Sequence, residues 1–376
     1  MWLSTFTLKM VPRLIFDSIV CILIVAGEVY ERERELQRAL LRLDRSCDLG
    51  SCFPAFGDLL IGREDRLSAT STCGTYKPER YFTDLRRKTC FWCDSSDDTV
   101  NNLKLNHRIH NVIYKYSGTR GESWWQSENG KENVSIQLDL EAEFHLKQLI
   151  MQFKTYLPKA MLVEISSDFG KTWSVCRYFA YNCTESFPGV PEITISLTEV
   201  VCEPLYSGVI PSTDGTVNLR FLPLGIGPYS EESKIFYRST NLRINFTQLH
   251  SFASNGKILH NSDNRAAIGD NYYAIKKITV LGSCFCNGHA ARCIPFSGND
   301  SNDNMVYGRC KCAHNTLGMN CEHCDDLFND LPWQPAVGKK TNACKKCPCN
   351  NLATKCHFDP ELYNKSGKLR GGVCDN

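Results

Sequence analysis

Two copies of a cysteine-dense segment constrain the fold of this chain more than any other feature. CFCNGHAARC at residues 284–293 and CPCNNLATKC at residues 347–356 have cysteines at the same three relative positions. Position six of the segment is His289 in the first copy and Leu352 in the second. A zinc site needs about four thiolate or imidazole ligands, and a ligand set that includes His289 cannot serve both copies. The repeat therefore favours disulfide bonds over a zinc site.

The distribution of the 21 cysteines indicates an oxidising compartment. Twelve lie between Cys284 and Cys374, eight lie between Cys47 and Cys202, and Cys21 stands alone. After residue 283 large apolar residues are scarce, so covalent links must supply the stability that burial cannot. If Cys21 is removed with a leader, an even twenty remain, as expected of a secreted, disulfide-bonded protein.

The first residues read as a secretory leader. Lys9 and Arg13 precede an apolar run over residues 19–26, and Gly27 provides a small residue at the cleavage point. We predict a signal peptide over residues 1–27, with a signal anchor or a mis-assigned start as alternatives. A charged N-terminal leader follows at 28–46. Secretion is also indicated by five Asn-x-Ser/Thr acceptors for glycosylation: Asn133, Asn182, Asn245, Asn299 and Asn364.

Short alternating segments fill residues 47–283. Val134, Ile136, Leu138 and Leu140 alternate with polar residues, which is the period of a strand buried on one face. The same period recurs in residues 149–153, 161–165, 217–221 and 242–246. Because no long helical pattern separates these strands, antiparallel pairing in a two-sheet sandwich is expected. We predict a single all-β domain here, followed by a cysteine-rich region.

Charge and motifs give no indication of catalysis or nucleic-acid binding. Forty-three basic residues against 41 acidic ones leave a formal charge of +2, so no strong field selects a polyanion. No nucleophile elbow, zinc-protease motif or phosphate-binding loop is present. His107 and His110, two conceivable ligands or acid-base groups, have no evident partners. Asp168 with Asp139 or Glu164 could form a glycosidase pair, but a turn residue and two solvated strand positions explain them equally. We predict no enzyme.

Several long strings resemble a known family. GSCFPAFGDLLIGR, LSATSTCG, WWQSENGKENVSIQLDLEAEFH, MLVEISSDFGKTW, RYFAYNC and NLRINFTQLH are similar to the laminin N-terminal domain, and more narrowly to that of laminin beta chains. CFCNGHAARC and HNTLGMNCEHC resemble laminin-type EGF-like modules, one at 284–346 and a partial one at 347–376. The resemblance implies a jelly-roll β-sandwich over 47–283, followed by small disulfide-rich modules.

The resemblance also implies the module disulfides, which spacing alone does not determine. It pairs Cys284 with Cys293, Cys286 with Cys310, Cys312 with Cys321, Cys324 with Cys344, Cys347 with Cys356, and Cys349 with Cys374.

The chain departs from the beta-chain pattern at two positions. Phe82 stands where family members have a cysteine, and Cys176 stands where they have a tyrosine. Either the cysteine left without its partner pairs with Cys176, which requires Cα atoms within about 7 Å, or two thiols remain unpaired. The sequence leaves both alternatives open.

The polar segment SENGKE directly follows two tryptophans and should project as a loop from a fixed base. Since laminin N-terminal domains associate with one another, the resemblance implies a partner-binding site on this loop; a simple hairpin turn is the alternative. The predicted contact residues are Ser127, Glu128, Asn129 and Glu132.

Calcium is a further possibility that the wider family raises. Some relatives, netrins among them, bind calcium in this domain through an acidic residue whose counterpart here is Asn111. An amide oxygen is a weaker calcium ligand than a carboxylate. We therefore expect no cofactor and no metal, and name Asn111 with the backbone near Tyr273 and Ala274 as the calcium candidates.

The expected function is that of a secreted basement-membrane protein. A laminin beta-type short arm would associate with laminin alpha and gamma chains, build extracellular matrix networks and support cell adhesion. Two alternatives remain: a netrin-like secreted ligand for a cell-surface receptor, and a truncated antagonist that caps laminin polymers.

Overall fold

The computed structural model describes residues 47–82, 90–96, 105–113, 123–193, 199–208, 215–221, 238–250, 271–296, 304–350 and 352–375. The predicted signal peptide at 1–27, the leader at 28–46 and Asn299 lie outside these ranges. No helix in the described ranges has the length and apolar content that crossing a membrane would require.

Strands dominate the described residues, and the helices among them are short. The strands of the head are β1 Gly57–Asp58, β2 Leu67–Ala69, β3 Glu79–Phe82, β4 Cys90–Cys93, β5 Trp125–Gln126, β6 Val134–Phe153, β7 Ala160–Ser166, β8 Ser174–Ala180, β9 Cys202–Glu203, β10 Thr216–Arg220, β11 Arg238–Gln248 and β12 Ala274–Cys284. The module strands are β13 Cys293–Ile294, β14 Arg309–Cys310, β15 Thr316–Leu317, β16 His323–Cys324, β17 Lys355–Phe358 and β18 Gly372–Asp375. The helices are 3-10 turns at Cys47–Leu49, Glu64–Arg66 and Ile109–Val112, α1 Cys183–Ser186 and α2 Pro360–Lys365.

One strand, β6, joins the two layers of the head. Its first half pairs with β11 and β2, and its second half pairs with β12 and β10. The buried apolar side chains fall on even positions from Val134 to Leu146 and on odd positions from Leu149 to Phe153. This change of parity turns the apolar face of the strand toward the same core in both layers.

The head is an all-β jelly-roll sandwich, as predicted, and disulfide-rich modules follow it. One layer has the order β2-β6-β11-β7-β8-β9, and the other places β10 and β12 on either side of the second half of β6. The two layers share one apolar core, which includes Trp125, Phe144, Met151, Val163 and Phe246. The alternating residues identified in the sequence are the ones buried there.

Disulfide bonds hold the modules, whose strands span two to four residues each. Each bridge contributes about 2–4 kcal/mol. The bonded pairs are Cys284–Cys293, Cys286–Cys310, Cys312–Cys321, Cys324–Cys344, Cys347–Cys356 and Cys349–Cys374. These are the pairs that the laminin resemblance implies. Three sulfur atoms, of Cys284, Cys286 and Cys310, lie within 4.8 Å of one another, but all three belong to disulfides and cannot act as thiolate ligands.

The head has three disulfides and two unpaired thiols among its described residues. The bonds join Cys47 to Cys52, Cys73 to Cys93, and Cys183 to Cys202. Cys90 and Cys176 are free. Of the two alternatives that the sequence leaves open, the structure therefore shows the one in which two thiols remain unpaired.

The positions of the two thiols explain why they do not meet. Cys90 is exposed on β4, directly opposite Phe82 on β3. Cys176 lies on β8 and packs against the main core, where burial raises its pKa to about 12. A cysteine at position 82 would face Cys90 across the hairpin, so the phenylalanine is what leaves that thiol unpaired. The Cys176 thiol stays protonated and unreactive at neutral pH.

A buried arginine connects the head to the first module. Arg63 is 2% exposed, and its guanidinium donates to Glu141 on β6 at 2.7 Å and to the Val306 carbonyl of the module at 2.7 Å. Two residues along β6, the carboxylate of Glu143 accepts a hydrogen bond from the Asn320 side chain of the module. The middle of β6 is therefore bonded directly to the module.

Candidate functional site

The base of the predicted partner-binding loop is rigid. Trp125 on β5 is fully buried, its indole N–H donates to the Ser71 carbonyl at 3.2 Å, and its ring stacks on Phe246. Its neighbour Trp124 stacks on the buried His107 ring at 4.1 Å. Because both tryptophans are fixed, the chain that follows them leaves the sandwich in a defined direction.

Ser127, the first of the four predicted contact residues, is a structural residue. Its side chain is completely buried, accepts a hydrogen bond from the Tyr273 N–H at 3.0 Å and donates to the Glu128 carbonyl at 3.2 Å. A partner protein cannot reach this hydroxyl. Its burial inside a polar segment has no signal in the sequence.

Asn129 and Glu128 hold the loop against neighbouring segments. The Asn129 N–H donates to the Glu79 carboxylate at 2.9 Å, and its side-chain amide donates to the Arg80 carbonyl at 2.7 Å. Glu128 accepts from the Ser71 hydroxyl at 3.1 Å and forms an ion pair with Lys131 at 2.9 Å.

Glu132 is the exposed member of the predicted set. Its side chain points away from the core while its carbonyl accepts a hydrogen bond from the Tyr273 hydroxyl at 2.8 Å. The surface of the loop therefore consists of charged side chains on a fixed backbone: Glu128, Lys131 and Glu132.

The β3–β4 hairpin extends this surface, and the sequence reasoning missed it. Phe91 and Trp92 are 41% and 51% exposed, and the Arg80 guanidinium lies over the Trp92 ring at 6.0 Å. Since Asn129 bonds to the Arg80 backbone, the loop and the hairpin are continuous. We call residues 79–82, 90–93 and 128–132 the loop–hairpin surface. The signal was the run CFWC, whose adjacent aromatics do not alternate as a buried strand would.

The residues named as calcium candidates all take part in hydrogen bonds within the fold. The Asn111 side-chain nitrogen donates to the carbonyls of Asn106 at 2.8 Å and Trp124 at 3.1 Å. Those acceptors fix the orientation of the amide, so its N–H groups satisfy the oxygens that a cation would otherwise bind. The carbonyls of Tyr273 and Ala274 already accept backbone hydrogen bonds from Ser127 and Lys154.

The acidic residues considered for a glycosidase pair all serve the local structure. Asp168 accepts from the Thr172 N–H and hydroxyl and from Ser166 in the β7–β8 turn, and these hydrogen bonds lower its pKa to about 2. Asp139 accepts from the Asn241 side chain, and Glu164 accepts from Arg243.

The two histidines at 107 and 110 do not form a site with each other. His107 is 1% exposed and its ring contacts those of Tyr81 and Trp124. Burial lowers its pKa to about 4, so the ring is neutral at physiological pH. His110 lies in the 3-10 turn Ile109–Val112 and is half-buried.

The sequon asparagines differ in accessibility. Asn133, Asn182 and Asn364 are exposed, although the Asn182 side-chain oxygen caps α1 by accepting from the Glu185 N–H at 3.1 Å. Asn245 is half-buried on β11, and its side-chain nitrogen, the atom that a glycan would join, donates to Glu164 at 2.6 Å. The geometry thus favours glycosylation at the exposed sites over Asn245.

A β-sandwich head bonded to disulfide-rich modules, with a charged and aromatic surface on the head, defines a modular, disulfide-bonded protein. The Laminin N-terminal (Domain VI) family matches residues 52–282, and the Laminin EGF domain family matches residues 284–344. The chain belongs to the laminin family.

Individual relatives agree with this assignment. The chain is 52% identical over 342 residues to laminin subunit beta-1 of Drosophila melanogaster and 49% identical over 340 residues to that of Homo sapiens. Each alignment covers 88% of this chain and 19% of the relative, so the chain spans about a fifth of these subunits. Netrin-4 of Pongo abelii is 37% identical over 345 residues, covering 87% of this chain and 52% of that protein.

Proposed function

We propose that this chain is the outer part of a laminin beta-type short arm, secreted into the basement membrane after removal of residues 1–27. Its head, residues 47–283, binds the equivalent N-terminal domains of laminin alpha and gamma chains. The modules at 284–346 and 347–376 hold that head away from the rest of the assembly. The binding builds an extracellular matrix network that supports cell adhesion.

The loop–hairpin surface is the observation that carries this proposal. Exposed aromatic residues beside an arginine are common in protein–protein contacts because they bury large areas at low entropic cost. Phe91, Trp92 and Arg80 provide such a cluster, and Glu128 and Glu132 supply charge at its edge. The hydrogen bonds that fix the loop also lower the entropy lost on binding.

A single weak contact is sufficient for this role. Many arms joined in one network raise the effective concentration of each binding partner, so modest affinities between heads still produce assembly. The higher identity to laminin beta subunits than to netrin-4 supports the matrix role over that of a soluble guidance ligand.

Sedimentation velocity of the full chain with laminin alpha and gamma N-terminal heads tests the proposal. We expect reversible complexes at tens of micromolar that Trp92→Ala weakens about tenfold or more, because aromatic anchors dominate such interfaces. Phe169→Ala is the matched control, since this 60% exposed aromatic lies in the turn between β7 and β8. Absence of any complex with either head, or equal weakening by both substitutions, would overturn the proposal.

A further inference from the structure

The short disulfide loop Cys47–Cys52 packs on the first module rather than on the sandwich. The N–H groups of Ser51 and Cys52 donate to the carbonyls of Gly338 and Gly288, each at 2.9 Å. Gly50 allows this approach, because a Cβ atom there would lie 2.3 Å from the Gly338 oxygen. The start of the head therefore bonds across to the module at a second place, separate from Arg63.

Two histidines of the module lie under this loop. The Nδ1 atoms of His289 and His314 are 2.9 Å apart. The Nε2 atom of His289 lies 2.9 Å from the Gln334 carbonyl oxygen, and the Nε2 atom of His314 lies 2.7 Å from the Cys47 carbonyl oxygen. The second contact joins the histidine pair to the head.

The hydrogen count of this arrangement fixes the charge of the pair. A carbonyl oxygen only accepts, so each Nε2 atom must carry a hydrogen. A neutral imidazole has one N–H, which would leave two Nδ1 lone pairs facing each other at 2.9 Å. The contact becomes a hydrogen bond only if a third proton lies between the rings, and the pair then carries one positive charge.

Exposure favours His314 over His289 as the ring that holds the third proton. His289 is completely buried, and its burial, with a further contribution from His314, lowers its pKa to about 4 against the opposing effect of the Gln334 carbonyl. His314 is half-buried, so a positive charge on its ring costs less desolvation. As an imidazolium it donates to both His289 and the Cys47 carbonyl.

The second module offers a comparison within the same chain. Leu352 occupies the position of His289 in the repeat and is 86% exposed, whereas His289 is fully buried. The disulfide framework of the repeat therefore does not require a buried histidine at this position. What is particular to the first copy is the head loop that packs beside it.

We propose that His289 and His314 share three protons and form a proton-dependent clasp that holds the Cys47–Cys52 loop of the head on the first module. Loss of the third proton as pH rises places two lone pairs in contact and weakens the bond to the Cys47 carbonyl. The segments packed around the pair carry these other charged groups: Asp48, Arg292, Lys311, Lys339 and Lys340.

Imidazole nitrogen NMR of the full chain, with 15N-labelled histidine, tests the proton count directly. Within the pair, we expect the His314 ring to have the shifts of an imidazolium and the His289 ring to be neutral and protonated at Nε2. The His314→Gln substitution should remove the first signal and shift the second. Two neutral rings throughout the pH range in which the chain stays folded would overturn the proposal, and so would an imidazolium assigned to His289.

Amide hydrogen exchange at Ser51 and Cys52 tests the clasp itself. We expect their protection, relative to amides of β7, to fall about tenfold or more as the third proton is lost, the factor that matches a charge-assisted hydrogen bond. His314→Gln should abolish this pH dependence. The control His323→Gln changes an exposed histidine of the same module and should leave it intact. A pH profile that is the same in the wild type and in His314→Gln would contradict the proposal.

Discussion

Restoring a cysteine at position 82 should close a cross-strand disulfide with Cys90. Phe82 and Cys90 are direct neighbours in the antiparallel β3–β4 pair. Opposed residues in such pairs have Cα atoms about 4.5–5.5 Å apart, inside the range of about 4.4–6.8 Å that disulfides require. Phe82→Cys therefore brings two thiols into bonding distance without moving the backbone.

The expected gain follows from the size of the closed loop. A disulfide between positions 82 and 90 closes a loop of about nine residues, which the chain-entropy relation values at about 2.6 kcal/mol. Losing the half-buried Phe82 ring costs roughly 1 kcal/mol of this. The net gain of about 1.5 kcal/mol corresponds to a rise in Tm of roughly 3–6 °C for a domain of this size.

Thiol titration and thermal unfolding together measure the effect. Native wild-type chain should react at the exposed Cys90, and Cys176 should react only after unfolding. In the folded Phe82→Cys variant, Cys90 should no longer react with the thiol reagent. A non-reducing peptide map should link position 82 to Cys90. Phe82→Ser, which removes the ring without adding a thiol, should lower Tm and provides the baseline. Reactive thiols at both positions 82 and 90 in the folded variant would refute the argument.

Three further substitutions test other parts of the structure. Ser127→Ala should destabilise the head by about 1–2 kcal/mol in urea unfolding, because the Tyr273 N–H loses its buried acceptor, and unchanged stability would contradict that role. Asn111→Asp should lower Tm in the absence of calcium, and added calcium should restore the Tm of this variant. Calcium should leave the Tm of the wild type unchanged. Arg63→Met should cost about 3–5 kcal/mol at pH 7. Although burial raises the pKa of Glu141, the hydrogen bonds and charge of Arg63 lower it overall. The stability from this pair is therefore present above the unfolded pKa near 4.5 and lost as pH falls below it, so Arg63→Met should flatten the acid limb of a urea–pH series.

The strands of the head were predictable because their burial depends on local alternation. Residues 134–140, 149–153, 161–165, 217–221 and 242–246 alternate in the sequence and are buried with the same alternation in the sandwich. The sequence did not show that two of these runs form a single strand. The run from Val134 to Leu140 and the run from Leu149 to Phe153 read as two strands but belong to one, because the parity change between them is compensated by pairing with distant strands.

The binding surface was only partly predictable for the same physical reason. The position of the loop after two tryptophans is visible in the sequence, whereas the burial of Ser127 depends on Tyr273, a residue far along the chain. The amide of Asn111 likewise acquires its role from carbonyls that only the fold brings together. Contacts between distant segments carry no local signature.

The continuity of β6 determines how tension would enter the head. A pull on the modules reaches the sandwich through the end of β12, which continues into the first module at Cys284, and through Glu141 and Glu143 near the midpoint of β6. The part of β6 before that midpoint is paired with β11, and the part after it is paired with β12. A force applied there is spread over many backbone hydrogen bonds in both layers at once, so the head should yield as a block and not unzip from one edge.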